Sequence, residues 1–128
     1  MEDTATILYV EDNPDNRILI LRILNAEGYE VLFAENAEQA METAQQASID
    51  LILMDINLPD VDGYTLTSQI RALPNIGSIP IIALTANVMK GDRERSLEAG
   101  CDGYIQKPVD VDNLPVEIAA YLRKEPYA

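Results

Sequence analysis

Four short apolar runs, each ending in polar residues of a particular kind, constrain the fold of this chain most strongly. The runs and the residues that end them are 7–10 with Glu11 and Asp12, 51–54 with Asp55, 81–84 with Thr85, and 104–106 with Lys107 and Pro108. Helix-like segments with short joins lie between the runs, an alternation typical of a parallel sheet with helices on both faces. We therefore predict an α/β fold with a doubly wound, five-stranded parallel sheet.

Local signals place the individual elements along this alternation. The predicted strands are Thr6–Val10, 29–34, 50–55, 80–85 and Gly103–Gln106. Asn13 before Pro14 predicts a helix start with an N-cap and proline at the first position, and Asn36 with Gln39 resembles a capping box. The side chains expected on the buried helix faces are Ile18, Leu21, Ile23 and Leu24 in the first helix and Leu66, Ile70 and Leu73 in the third. We predict the fourth helix at 89–99 and the last at 112–123, with Pro115 in its first turn.

The polar residues that end the runs belong to one predicted site. The carboxyl ends of parallel strands share one edge of the sheet, where open α/β sheets bind ligands. That edge would carry three acids, one hydroxyl and one ammonium group. Two carboxylates about 4 Å apart repel by ~4 kcal/mol at an effective dielectric constant of about 20. Mg²⁺ binds through one or two carboxylates and phosphate oxygens, so the set indicates a phosphoryl-transfer site.

Each of these residues also has an ordinary structural explanation. Asp55 could cap the loop after its strand, and Glu11 and Asp12 could be acids favoured near a helix N-terminus. Thr85 could be a β-branched strand residue, and Lys107 could be a solvated surface lysine. The ordered set, rather than any single residue, supports the prediction.

Charge and composition limit the partners of the chain. The 22 acidic and 9 basic residues give a net charge of −13, so we expect repulsion from nucleic acid and anionic lipid and a monomer in solution. No apolar stretch approaches the ~20 residues of a membrane span, and the N-terminus lacks a signal-peptide pattern. A lone cysteine, Cys101, is expected to be a small buried residue, and it is consistent with a reducing cytoplasm. The absence of histidine excludes imidazole metal ligands and Ser-His catalysis.

With these motifs together, the chain resembles the receiver domain of two-component response regulators, from about residue 7 to 122. The segments that carry the resemblance are 10–13, 53–59, Asp62 with Gly63, 83–86, 99–104, and Lys107 with Pro108. The resemblance implies a flavodoxin-like sheet in the order 2-1-3-4-5. It also implies a single receiver domain over residues 1–128, with a core at about 6–124, that acts in bacterial phosphorelay signalling in the cytoplasm.

The resemblance also assigns roles to residues. Asp55 would be the phosphoacceptor for a sensor histidine kinase or histidine phosphotransfer protein. Its cofactor would be Mg²⁺, with Mn²⁺ as a substitute, and the metal ligands would be Asp12, Asp55, Glu11 through water and the main-chain carbonyl of Asn57. Thr85 would hydrogen-bond the phosphoryl group and Lys107 would pair with it. The remaining implied features are Tyr104 as the switch aromatic beside Thr85, a cis Lys107–Pro108 bond, and Asn57 and Asn87 side chains flanking the hydrolytic water.

Such a domain is not a conventional enzyme, although it would catalyse its own phosphorylation and dephosphorylation. A downstream protein would bind the surface of the fourth helix, fifth strand and fifth helix. The candidate contact residues there are Met89, Lys90, Arg93, Tyr104 and Val109.

Three alternatives come from other functional classes. A phosphatase-like hydrolase would need an Asp-x-Asp pair on the first strand, whereas the third strand here carries Asp55 and Asn57. A flavin or nucleotide binder would need a glycine- or hydroxyl-rich loop after the first strand, where this chain has Glu11 and Asp12. A partner-binding module that is never phosphorylated is the third. The chain could be a stand-alone regulator, which its start at Met1 favours, or a receiver excised from a hybrid histidine kinase or larger regulator.

Overall fold

The computed structural model describes residues 5–58, 61–74, 76, 79–85, 92–107 and 109–122. Strands and helices alternate throughout these ranges. The strands are β1 (Thr6–Val10), β2 (Glu30–Ala34), β3 (Leu51–Asp55), β4 (Ile81–Thr85) and β5 (Gly103–Gln106). The helices are α1 (Pro14–Ala26), α2 (Ala37–Gln46), α3 (Gly63–Arg71), α4 (Asp92–Ala99) and α5 (Leu114–Leu122).

The five strands form one parallel sheet in the order β2-β1-β3-β4-β5. The predicted fold class and strand order are therefore confirmed. The chain moves from β1 to β2 on one side and to β3 on the other, so the order of the strands reverses between β1 and β3. Ligands in open α/β sheets bind at such a reversal, outside the carboxyl ends of the strands. In this chain that place lies next to Glu11, Asp12 and Asp55.

The sheet is buried on both faces, as its continuous apolar strands predict. One face packs against α1 and α5, and its core includes Tyr9, Leu53, Ile20 and Ile118. The other face packs against α2 and α3, and its core includes Leu8, Met54, Ala40 and Leu66. Every residue of β3 and β4 is buried. The central strands therefore hold the residues that follow them at fixed heights above the sheet.

Helix starts follow the local sequence signals closely. Asn13 Oδ1 accepts hydrogen bonds from the N–H groups of Asp15 and Asn16, at 2.9 and 3.3 Å, and Pro14 is the first helical residue, as predicted. Asn36 Oδ1 accepts from the Gln39 N–H at 2.9 Å, while Gln39 Oε1 accepts from the Glu35 N–H. The α1 start and the α2 N-cap are therefore confirmed.

The buried face of α1 differs from the prediction at one residue. Ile18 is 57% exposed, while Ile20, Ile23 and Leu24 are buried and Leu21 is partly buried. The helix turns roughly 100° per residue, so Ile18 lies on nearly the opposite side from Ile20. The prediction for Ile18 was wrong because α1 carries apolar residues on more than one face.

The start of α5 also differs, since the helix begins at Leu114 rather than near Asp112. Asp110 Oδ1 accepts from the N–H groups of Asp112 and Asn113, at 3.0 and 3.2 Å, and holds these residues in a turn. Pro115 still lies in the first helical turn, where its missing N–H has little effect.

Arg71, the last residue of α3, joins several elements at the edge opposite the strand ends. Its guanidinium donates to the carbonyl oxygens of Ile79 and Gly100, each at 2.6 Å, and to Asp102 Oδ2 at 2.8 Å. The same Asp102 oxygen accepts from the Ile81 N–H at 2.9 Å. This Arg71 contact set links the end of α3 to the starts of β4 and β5.

Within the described ranges, no helix combines the length and the apolar character needed to cross a membrane.

Candidate functional site

Asp55 is the last residue of β3 and is only 1% exposed. Its Oδ1 atom accepts a hydrogen bond from the Asn57 main-chain N–H at 3.0 Å. The Lys107 ammonium lies at 3.0 Å from the same oxygen. A local contact from Asn57 and a long-range contact from Lys107 therefore fix this carboxylate at the carboxyl edge.

Glu11 follows β1 and is fully buried. Its Oε1 atom accepts from the Tyr9 hydroxyl at 3.0 Å and lies 3.6 Å from Lys107 Nζ, and its Oε2 accepts from the Asn13 N–H at 3.4 Å. Both carboxylate oxygens of Glu11 thus have a protein donor.

Lys107 and Thr85 complete the edge. The Lys107 main-chain N–H donates to the Thr85 carbonyl at 2.8 Å, which ties the end of β5 to the end of β4. The Lys107 side chain is 15% exposed and reaches toward the two acids. Thr85 is buried at the end of β4. The ends of the four apolar runs therefore meet along one edge of the sheet, as the sequence indicated.

Burial and the neighbouring groups shift the pKa values of the two buried acids, Glu11 and Asp55, in opposite directions. The pKa of Glu11 is raised from 4.5 to about 7, chiefly by burial and then by the hydrogen bond with Asp55 and the charge of Asp55. The charge of Lys107 and the hydrogen bond from Tyr9 lower this pKa, but by less. Burial alone would also raise the pKa of Asp55, but hydrogen bonds from Glu11, the Asn57 N–H and Lys107 lower it below 3.8. Asp55 therefore stays ionised at neutral pH while Glu11 carries a proton for part of the time.

A third acid, Asp12, is exposed at the same place. One carboxylate oxygen from each of Glu11, Asp12 and Asp55 lies within 4.8 Å of the others. Three carboxylates at this spacing offer the oxygen ligands that Mg²⁺ prefers, and the exposed Asp12 side leaves room for the water molecules that the ion usually keeps. The residues present fit a divalent cation.

Other predicted residues are more peripheral or lie outside the described ranges. Asn57 is exposed just after Asp55, and Tyr104 is half-buried in β5. The structure describes neither Pro108, to which the cis-bond prediction applies, nor Asn87, Met89 and Lys90, nor the Arg93 side chain. Val109 is half-buried after β5.

The contact between Tyr9 and Glu11 was not predicted from the sequence. Tyr9 precedes Glu11 by two positions, and alternate residues of a strand point to the same face. That spacing was the available signal. Burial raises the pKa of the Tyr9 phenol well above its usual 10.0, so the hydroxyl remains a hydrogen-bond donor.

Comparison with known proteins identifies the family to which this fold and this set of residues at the carboxyl edge belong. Residues 7–119 match the family model of the response regulator receiver domain. The polar-differentiation response regulator DivK of Brucella ovis is 40% identical over 119 residues, which cover 93% of this chain and 97% of that protein.

Two solved structures extend the comparison. The receiver domain of the sensor histidine kinase PA1611 from Pseudomonas aeruginosa, solved with a magnesium ion coordinated in its active-site cleft, is 41% identical with a TM-score of 0.87; the match covers 94% of this chain and 99% of that one. A CheY-like receiver domain protein from Methanospirillum hungatei is 31% identical with a TM-score of 0.88 and coverages of 95% and 96%. The match to the family model and the similarity to these relatives show that this chain belongs to the response regulator receiver family of two-component systems.

Proposed function

We propose that this chain is a phosphorylation-controlled receiver that accepts a phosphoryl group on Asp55. The donor would be a phosphohistidine on a sensor histidine kinase or a histidine phosphotransfer protein. The observation that carries the proposal is the Asp55 carboxylate itself. It is buried, kept ionised, held 3.0 Å from Lys107, and within 4.8 Å of two further acids.

The transfer needs little covalent chemistry from the protein. An Asp55 carboxylate oxygen forms a bond to phosphorus while the bond between phosphorus and the donor's imidazole nitrogen breaks, and the imidazole leaves with the electron pair. Catalysis of phosphoryl transfer is mostly positioning and charge stabilisation. The buried end of β3 positions the nucleophile, and the Lys107 ammonium stabilises the phosphoryl oxygens.

Asp12 and Asp55 would hold Mg²⁺ directly, Glu11 would assist through water, and the Asn57 carbonyl would complete the protein ligands. The bound ion neutralises charge on the phosphoryl oxygens and lowers the repulsion among the three acids. Mn²⁺ would substitute for it. The magnesium ion coordinated in the active-site cleft of the related Pseudomonas aeruginosa receiver supports a Mg²⁺ site at this edge of the sheet.

Phosphorylation would change the population of two conformations. Thr85 would donate its hydroxyl to the phosphoryl group, and Tyr104 would turn inward as Thr85 moves. The altered surface of α4, β5 and α5 would bind a downstream protein. Water would later hydrolyse the acyl phosphate, with the Asn57 side chain beside it, so the domain would reset itself. We propose that the chain acts in this way as a single receiver unit in the cytoplasm.

Intact mass spectrometry after incubation with acetyl phosphate tests the proposal. We expect one phosphoryl adduct on the unaltered chain with Mg²⁺, no adduct with EDTA, and no adduct on Asp55→Asn. Asp50→Asn is the matched control, because Asp50 is exposed just before β3, at the opposite edge of the sheet, and this variant should be labelled normally. Labelling of Asp55→Asn would refute the acceptor assignment. A folded chain that takes no label would instead be a module that binds partners without phosphorylation.

A further inference from the structure

Tyr9 is fully buried in β1 and contacts the candidate site through its hydroxyl group. Its ring packs in the core between the sheet and α1, while the O–H donates to Glu11 Oε1 at 3.0 Å. We infer that Tyr9 is a positioning residue of the cation site, which holds the Glu11 carboxylate in the orientation that faces Asp12 and Asp55. The inference rests on the proposed function and deepens it.

The charge of the donor explains why a tyrosine is suited to this place. A second donor near Glu11 Oε1 is Lys107, at 3.6 Å, and Lys107 lies closer to Asp55, at 3.0 Å. In the proposed function Lys107 pairs with the phosphoryl group, and its positive charge opposes a nearby cation. The Tyr9 hydroxyl is neutral. It can therefore hold Glu11 without repelling the cation and without leaving when phosphate arrives.

The Tyr9 ring is itself held in place by aromatic packing. Tyr9 pairs with Phe33 in the register of β1 and β2, and the two rings meet edge to face at a centroid distance of 5.7 Å. The Arg17 guanidinium from α1 lies 4.5 Å from the Phe33 ring centroid. Phe33 thus restricts the Tyr9 ring directly, and Arg17 in turn packs on Phe33, so the hydroxyl has a defined position relative to Glu11.

The expected effect is on cation affinity. Loss of an outer hydrogen-bond partner of a metal ligand typically weakens metal binding 10- to 100-fold. Glu11 would contact the cation through water, so we expect the lower end, about tenfold, for Tyr9→Phe. The substitution removes one oxygen atom and leaves the ring packing against Phe33 intact.

The test is an NMR titration of the unphosphorylated chain with MgCl₂, following the amide signals of Asn57 and Asn13. Tyr9→Phe should raise the Kd for Mg²⁺ about tenfold. Tyr29→Phe, the matched control, should leave it unchanged, because Tyr29 packs against the same half of the core just before β2, at the opposite edge of the sheet. In a Glu11→Ala background, Tyr9→Phe should have no further effect, since its acceptor is gone.

A second measurement needs no substitution. In the unaltered chain with ¹³C-labelled tyrosine, the Tyr9 Cζ signal should shift with the same Kd as the Asn57 amide, and the Tyr29 signal should not. Two results would overturn the inference about Tyr9 while leaving the cation site in place. One is a Tyr9→Phe chain that loses stability but binds Mg²⁺ with the Kd of the unaltered chain. The other is a Tyr9 signal that does not shift when Mg²⁺ is added. An unaltered chain that shows no Mg²⁺-dependent shifts would overturn the cation site and the inference with it.

Discussion

The buried Glu11 carboxyl predicts an unusual pH dependence of stability in metal-free buffer. Its pKa rises from 4.5 to about 7 on folding, chiefly through burial. Between these two values the folded chain binds more protons than the unfolded chain, so the free energy of unfolding falls as pH rises. The stabilisation from Glu11 is complete below pH 4.5 and is lost as the pH passes 7. At ~1.4 kcal/mol for each pH unit of that interval, the loss amounts to about 3 kcal/mol.

Asp55 contributes at a different pH and with the opposite sign. Its pKa is lowered below 3.8, so the stability it provides is present above that value and is lost only in more acidic solution. The interval between pH 4.5 and 7 therefore isolates Glu11 from its buried neighbour.

Glu11→Gln provides the comparison, because glutamine has the shape of protonated glutamate and cannot ionise. Urea unfolding followed by far-ultraviolet circular dichroism in EDTA should be measured from pH 4.5 to 7.5 for both chains. The unaltered chain should lose about 3 kcal/mol more than the variant across this range. Glu42→Gln, at an exposed position on α2, should retain the slope of the unaltered chain.

Parallel profiles for the unaltered chain and Glu11→Gln would refute the reasoning, since Glu11 would then be ionised in the metal-free fold. Added Mg²⁺ gives a further check. A cation at the three acids favours the ionised form of Glu11, so saturating MgCl₂ should flatten the difference between the two profiles.

Three further predictions concern stability and reactivity. In urea titrations at pH 7, Lys107→Met should lower the free energy of unfolding by about 3 kcal/mol, because it leaves the buried Asp55 charge without its partner. Adding Asp55→Asn to this variant should restore much of the lost stability. Gly63→Ala should destabilise by about 1–3 kcal/mol in the same assay, since the new Cβ would lie 2.5 Å from Ile56 Cα and 2.8 Å from the Asp55 carbonyl oxygen, both backbone atoms; a wild-type midpoint would contradict this. Burial raises the pKa of the Cys101 thiol to about 11, so iodoacetamide at pH 8 should modify it slowly in the folded chain and rapidly in urea, and fast labelling of both would contradict its burial.

The sequence predicted the features that depend on local pattern or on the rules of parallel sheets. Asn13 and Pro14 start α1 through contacts within a few residues. Asp55 and Lys107 meet because the carboxyl ends of parallel strands share one edge. Their spatial proximity therefore follows from topology, although they are far apart in the chain.

Features that depend on packing between distant elements were not predictable in the same way. Apolar residues occur on more than one face of α1, so the pattern alone did not decide between Ile18 and Ile20. The contact of Tyr9 with Glu11 depends on how far the phenol extends past the end of β1. Nothing near Arg71 in the sequence indicates that its partners are Gly100 and Asp102.

The Arg71 contact set acts, in polymer terms, as a reversible cross-link. The pairing of Arg71 with Asp102 joins residues 31 positions apart. A covalent link over such a loop restricts the unfolded chain and contributes about 3–4 kcal/mol. The Arg71 hydrogen bonds exist only in the folded chain and leave the unfolded ensemble unrestricted. The starts of β4 and β5 and the end of α3 are consequently held together as one unit of local opening, and their amides should exchange with solvent together.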